Sequence, residues 1–453
     1  MLEVLNQWIG VATPVVVIFV GGFFALRLRG LPFLRPKASI RAIRGGGMGD
    51  SSPLKSLMLA LAGTLGVGNI VGVSSAIALG GAGAVFWMWV SALFAMFLKY
   101  AEVVLAMLFR ETRPDGSHRG GAPYYIRAIL GKWLPKRLAS LTATVFALLC
   151  IANSLMMGCV IQSNAVTRAM DSAFSIPPLF CGCFLAVLCF GLLTKGKRAI
   201  TAVTGILVPI MSGAFLVLSL AVLVLHRGAI LPALGRIFSE AFSPLAAGGG
   251  IVGFLLSRSL RFGTIRGIIS NEAGCGTSPT AHAASDTKSP VEQGLFGILE
   301  VAVDTLVLCT VTALVVLIGY DASAPFASDP MVMTLQAYSS CFGGSPWVEK
   351  ALSLSILCFG FATLLCWSHY GTEALAFVLQ NKKMSRKAGG FTCVFSLLFS
   401  LFAILGALSA PDLVWSLTDF ITGMMTLINA SVLLVGHRQI CRVTDWYFGG
   451  EGG

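Results

Sequence analysis

Charge is what this chain has least of. Only 11% of its 453 residues are Asp, Glu, Lys or Arg, while 56% are hydrophobic and the mean hydropathy is +0.84. Soluble domains carry about 25% charged residues, so a water-soluble globule is excluded and the chain reads as a polytopic membrane protein. Catalytic signatures are also absent: there is no HExxH, no GxSxG, no P-loop and no nucleophile beside a plausible base. No enzyme is expected. The 12 cysteines are scattered singly through apolar runs, and only Cys181 and Cys183 lie close together. That excludes a CxxC redox motif and zinc-ligand spacing, leaving small buried hydrophobes. The first apolar stretch, Trp8 to Leu26, has no basic segment ahead of it and is too long for a signal-peptide core, so it reads as a retained span.

What is present is a series of apolar runs near 8–26, 54–80, 84–109, 139–164, 179–194, 199–225, 247–281, 293–319, 349–379, 391–409 and 413–436. With about 20 residues needed to cross a bilayer, these predict eleven crossings, the one at 179–194 short and the one at 247–281 interrupted. The connections split sharply by charge. One set holds 24 of the Lys and Arg, the other only Arg168, Arg227, Arg236 and Lys350. By the positive-inside rule the N-terminus lies outside and the C-terminus in the cytoplasm of a multi-pass cell (inner) membrane protein. The net charge of +12 is then a surface facing anionic lipid, and no nucleic-acid partner is needed to explain it.

The most informative stretch is 56–83, SLMLALAGTLGVGNIVGVSSAIALGGAG. Gly63, Gly66, Gly68 and Gly72 crowd its middle around Asn69. Each glycine in a helix costs about 1 kcal/mol relative to alanine, so a continuous rod is a poor reading. A helix interrupted at mid-membrane is the better one, because freed backbone groups are tolerated there only where they line a cavity or meet a ligand. The seventh span carries a matching interruption in SNEAGCGTSP. Corresponding breaks in two halves mark an inverted-repeat transporter. The expected organisation is one transmembrane domain over 1–453: a leading helix and basic loop (1–50), a first five-helix repeat (51–226), a second, inverted one (245–437) and a short cytoplasmic tail (438–453).

Several polar residues fall at membrane depth, where they are functional candidates. Glu272, in the second break beside Asn271 and Gly274, has three readings: a cation ligand, a substrate-amine ligand, or a prop for the break. Asn69 either caps a half-helix or joins carbonyls around a hard cation. The Gly66–Gly68 backbone offers N–H groups to a carboxylate. Gln162 is interhelical glue or a substrate donor, and Thr363 and Trp367, four apart, share one helix face. Glu300 and Asp304 share another, read as helix–helix contact or as proton coupling. Lys99 and Glu102, three apart, read as an ion pair, and His282 and His369 as isolated core or cavity residues. Arg258, Arg261 and Arg266 precede the second break and call for an interface or a wet vestibule.

Five ordered blocks sharpen this reading: GTLGVGNIVGVSSAIALGGAGAVFWMWVSALFAMFLKYAEVVLAMLFRE, GGAPYYI, RGIISNEAGCGTSPTAHAAS, VEQGLFGILEVAVDTLVLCT and WSHYG. Together they resemble the alanine or glycine:cation symporter family over residues 50 to 436. The resemblance implies a leucine-transporter-like, all-α 5+5 inverted repeat with one preceding helix. It also implies sodium-driven uptake of small neutral amino acids by a monomer with no cofactor beyond the coupling ion. Carried over by position, Thr64, Gly66, Gly68 and Asn69 would meet the substrate carboxylate and neighbouring sodium. Gln162, Asn271, Glu272, Gly274, Thr363 and Trp367 would line the same pocket. Carbonyls of Ala62 and Leu65 would face Thr363 across a sodium site shared with Asn69, and Glu272, Asp304 and His369 would serve coupling or gating. The chain departs from the family at Ile269, where Phe is common, at Cys275, and at His369, which replaces an aromatic. Proton coupling, a channel-like facilitator and a non-transporting sensor remain as alternatives on the same architecture.

Overall fold

The computed structural model describes residues 2–31, 52–113, 116–242, 257–320, 329–380 and 388–449. The expected start of the second repeat at 245, the basic loops within 32–51 and 381–387, and the last four residues of the chain lie outside the described residues. The chain is helical almost throughout, as the hydropathy demands. Helix α1 (Leu2–Arg27) leads into the first interrupted element, α2 (Pro53–Thr64) and α3 (Val71–Gly80), joined by a 3-10 turn at Val67–Asn69. Helix α4 (Gly83–Leu108) follows, then a short hairpin of β1 (Glu111–Thr112) and β2 (His118–Arg119), and α5 (Ala122–Leu130). Helices α6 (Lys136–Leu155) and α7 (Gln162–Phe174) are one rod carrying a π-helical segment at Met156–Ile161. Then come α8 (Pro178–Leu193), α9 (Lys197–Leu225) and α10 (Arg227–Ala241).

The second half opens with the other interrupted element, α11 (Arg258–Asn271) and α12 (Pro279–Ala283). Helices α13 (Pro290–Val301) and α14 (Thr310–Gly319) flank a second π-helical segment at Ala302–Cys309. They are followed by α15 (Pro330–Ser340), α16 (Pro346–Val378), α17 (Ala388–Leu408) and α18 (Pro411–Gly449). Eight helices among the described residues are long and apolar enough to cross a membrane. The other three expected crossings, 54–80, 179–194 and 247–281, fall on interrupted or short segments, no helix of which spans alone. Residues 438–449, expected as tail, continue α18 instead: Thr444 bonds the Tyr100 hydroxyl and the Tyr447 hydroxyl donates to Glu292.

Glycine sets the closest packing. Gly294 and Gly297 on α13 sit against the Tyr100 ring and the Lys99 stem of α4, where a side chain would have no room. Small residues at such crossings let membrane helices approach, since packing rather than water exclusion drives their association. One apolar core joins α2, α3, α7, α9 and α16, and a second joins α1, α4, α5, α13 and α18. The first break, through Leu65 and Val67, belongs to the first core, and the second, through Ala273 and Cys275, to the other.

Candidate functional site

Both interruptions predicted from the sequence exist, and they face each other. The first falls at Leu65 and Gly66, whose backbones leave the helical region before the turn at Val67–Asn69. The second begins at Glu272, which ends α11 in the left-handed conformation at φ 53°. Among the described non-glycine residues with positive φ (Arg29, Ser175 and Glu272) only Glu272 is buried. Such a conformation costs about 1–3 kcal/mol and persists only where surroundings impose it. Gly274 (φ 86°) and Gly276 (φ 75°) continue the turn in a region that side chains avoid. Across the gap, the Cβ position of Gly68 comes within 3.7 Å of the Ser270 Cα.

Asp304 joins the two breaks. Its Oδ1 accepts from Asn69 Nδ2 at 2.6 Å and its Oδ2 from the Ser270 hydroxyl at 2.8 Å, with a further bond from the Thr305 hydroxyl at 2.7 Å. Asn271 is fixed beside it, donating to Thr305 Oγ1 at 3.1 Å. The Asn69 side-chain oxygen has no partner although the residue is buried. A fully buried carboxylate next to an unpaired amide oxygen is a set of hard oxygen ligands.

Gln162 ties the first break to α6–α7. Its Oε1 accepts from Val67 N at 3.1 Å, and its Nε2 donates to the carbonyl of Met157 at 3.1 Å, inside the π-helical segment. Helix α16 closes the other flank with three neutral bonds to α2 carbonyls: Thr363 Oγ1 to Ala62 at 2.9 Å, Cys366 Sγ to Leu59 at 3.0 Å and Trp367 Nε1 to Gly63 at 3.4 Å. The Trp367 indole lies over Gly158, where any side chain would overlap it. Thr64, Asn69, Gln162, Asn271, Glu272, Thr363 and Trp367 are thus buried around the facing breaks. Leu65 caps α2, and the Thr64 hydroxyl bonds its own helix at Ala60.

Two candidates are placed elsewhere. Gly274 turns towards α18, its carbonyl accepting from Asn429 at 2.9 Å. His369 lines a separate cavity described below. Two expectations about charges are corrected. Lys99 pairs with Glu300 of α13 at 3.2 Å rather than with Glu102, which instead accepts from Gly276 N at 2.9 Å and from Asn429. His282 is not isolated: its ring bonds Glu300 and Gln293, each at 2.7 Å. Glu300 and Asp304 both make the expected helix–helix contacts but in different places, Glu300 to Lys99 and Asp304 to Asn69 and Ser270, the π-helical segment beginning between them. Single-turn π insertions recur at functional sites. Ser270 and Tyr370 were missed; positions 363, 367 and 370 do follow one helix face.

Two cavities border the elements that carry the breaks. One of about 610 Å³ is lined by Val71, Ser75 and Leu79 of α3, Arg261 and Arg266 of α11, Arg168, Asp329 and Asp419. Arg261 and Arg266 line it, whereas Arg258 is exposed outside it. Arg266 pairs with Asp419 at 2.8 Å and stacks on Trp415, and Arg168 pairs with Asp329. The other, about 480 Å³, is lined by Thr280 of α12, Arg113, His118 and Arg119 of the hairpin, Lys197, Arg198, His369 and Glu373. There Glu373 holds both Arg113 and Arg119 at 3.1 Å, and Arg110 donates to the carbonyls of Ala283, Ser285 and Thr287. Partial burial and the nearby Arg110 hold the His118 imidazole below its ordinary value. None of the seven buried residues around the facing breaks lines either cavity.

A sequence profile of the sodium:alanine symporter family matches residues 1–450. The sodium/alanine symporter AgcS of Methanococcus maripaludis is 35% identical over 85% of this chain and 82% of its own length. The probable sodium/glutamine symporter GlnT of Bacillus subtilis is 30% identical over 97% of this chain and 90% of its own. Among solved structures, a Na+-coupled sialic acid symporter in a substrate-bound outward-open state aligns with a TM-score of 0.57 at 12% identity. That alignment covers 94% of this chain and 85% of the other, a likeness of fold: the leucine-transporter-like architecture.

Proposed function

Since the chain belongs to the sodium:alanine symporter family, a family of multi-pass membrane transporters and not of enzymes, we propose that it takes up small neutral amino acids such as alanine or glycine with sodium, by alternating access. The observation that carries this reading is the pair of facing, buried breaks joined by Asp304. In this reading the zwitterion's carboxylate meets the backbone N–H groups around Gly66 and Gly68, and its amine the second break around Asn271. Trp367 over Gly158 limits the side chain. Sodium is held by Asp304 and the free Asn69 oxygen, and by the Ala62 and Leu65 carbonyls with the Thr363 hydroxyl. The element containing α2–α4 and α11–α14 rocks against the remaining helices. Each sodium entering down about 100 mV releases about 2.3 kcal/mol from the potential alone. The protein acts as a monomer in the cytoplasmic membrane with its N-terminus outside, and needs no cofactor besides the ion.

The test is uptake of labelled alanine and glycine by proteoliposomes under an imposed sodium gradient. Accumulation should collapse in potassium-only buffer and in Asn69→Ala. Equal uptake in both buffers, or accumulation driven by a proton gradient with sodium absent, would defeat the scheme. A second measurement concerns Gly66, whose Cβ position lies 2.7 Å from Thr363 Oγ1 and 2.9 Å from Gln162 Oε1. Gly66→Ala should cost about 1–3 kcal/mol by overpacking and lower uptake by about fivefold to 100-fold. Wild-type uptake in that variant would show that the close approach is dispensable.

A further inference from the structure

Charge in the buried centre does not balance. Glu102, Glu272, Glu300 and Asp304 are all fully buried, and Lys99 is the one equally buried lysine among the described residues. Even a protonated His282 would leave two carboxylates unmatched. Bare carboxylates are not kept out of water; they take up a proton or a cation. Glu300 has Lys99, His282 and Ser278, and Asp304 has Asn69, Ser270 and Thr305. Glu102 has Gly276 N and Asn429, both on Oε1, and its Oε2 has no partner. Glu272 is the least provided for: its Oε2 accepts from the Thr277 hydroxyl at 2.7 Å, and its Oε1 has no partner.

Gly63 shows where that oxygen points. The position its missing Cβ would occupy lies 3.2 Å from Glu272 Oε1 and 3.0 Å from the Tyr370 hydroxyl, which is also buried and bonds the Cys366 thiol. Cys366 Sγ, at 3.0 Å, forms the third wall and donates its own proton to the Leu59 carbonyl. An unpartnered carboxylate oxygen, and a phenolic oxygen whose proton can rest on the thiol while its lone pairs stay free, therefore converge on the hole that glycine leaves. The oxygens come from α11–α12 and α16, and the floor from α2. No group of three His, Cys, Asp or Glu among the described residues is placed to hold a metal, which argues against a transition metal there. Oxygen-only ligands suit a hard ion.

We propose that the cup formed by Gly63, Glu272 and Tyr370 is an additional sodium site, separate from the positions at Asp304–Asn69 and at Ala62–Thr363. It uses the carboxylate and phenolic oxygens, and it bridges the second break to α16, so its occupant draws the two together. The proposal extends the sodium-coupled reading above and depends on it.

Equilibrium binding of radioactive sodium to the purified full-length protein, with amino acid absent, tests it. Glu272→Gln, Tyr370→Phe and Gly63→Ala should each lower the bound stoichiometry by one ion or weaken one class of sites by about tenfold or more. The alanine methyl would occupy the cup without altering charge. Tyr370→Phe, the mildest change, decides the matter if Glu272→Gln does not fold. Unchanged stoichiometry and affinity in the folded variants would overturn this site while leaving Asn69→Ala and Asp304→Asn to report on the others. A sodium effect that appears only with amino acid present would assign Glu272 to the substrate amine and also overturn it. No sodium binding by the wild-type protein would instead remove the coupling reading itself.

Discussion

Asp304→Ala will abolish sodium-driven amino-acid uptake while leaving folded protein in the membrane. The carboxylate receives one bond from each broken helix, Asn69 at 2.6 Å and Ser270 at 2.8 Å, so its removal unlinks the two walls of the site together. Hydrogen bonds to a charged group contribute about 1.5–3 kcal/mol each, so losing two predicts a fall of about 100-fold or more. Asp304→Asn keeps an acceptor for Asn69 but not the charge. It should lie between alanine and the wild type, with the larger defect in sodium dependence. Transport by Asp304→Ala at more than a tenth of the wild-type rate, at equal protein level, would show that the link between the breaks is incidental.

Lys99→Met should damage the fold rather than the turnover of what folds. The Lys99 amine and Glu300 are both fully buried, 3.2 Å apart, so removing Lys99 leaves the carboxylate with only His282 and Ser278. Breaking a buried pair from one side costs about 3–5 kcal/mol, whereas replacing both partners is often nearly neutral. The single variant should therefore lose several degrees of melting temperature in detergent and much of its monodisperse yield. Lys99→Met with Glu300→Gln should recover most of both. A single variant as stable as the wild type, or a double variant no better than the single, would remove the pair from the account of stability.

The same residues mark how far sequence reasoning reaches. The breaks were legible because glycine density around one polar residue is a local signal, and local signals survive without coordinates. The arginines before the second break carried a similar signal: in lipid they would be too costly, so an interface or a cavity was expected, and Arg261 and Arg266 line a cavity. The partner of Lys99 was not, since Glu300 lies 201 residues away and the nearer Glu102 offered a false local answer. Nor were the π-helical segments, because inserting one residue per turn leaves an apolar run looking like any other. That insertion separates Asp304 from Glu300, which an ideal helix would align. Ser270 hid within a run already read for its asparagine and glutamate. Tyr370 passed as an aromatic in a motif, although the helical period from Thr363 and Trp367 pointed to it. The polar end of α18 looked like a tail, and only its bonds to Tyr100 and Glu292 show it packed.

The bonds from α16 to α2 are a hydroxyl, a thiol and an indole N–H, each donated to a main-chain carbonyl and none of them charged. At about 0.5–1.5 kcal/mol net apiece, they amount to a seam of a few kcal/mol. The bonds at Asp304 and Glu300 that hold α2–α4 and α11–α14 to one another are charge-assisted and harder to break. Stress on the molecule would therefore open it first along α16, like a perforated edge, and the carbonyls exposed there would be left facing whatever ion or water enters.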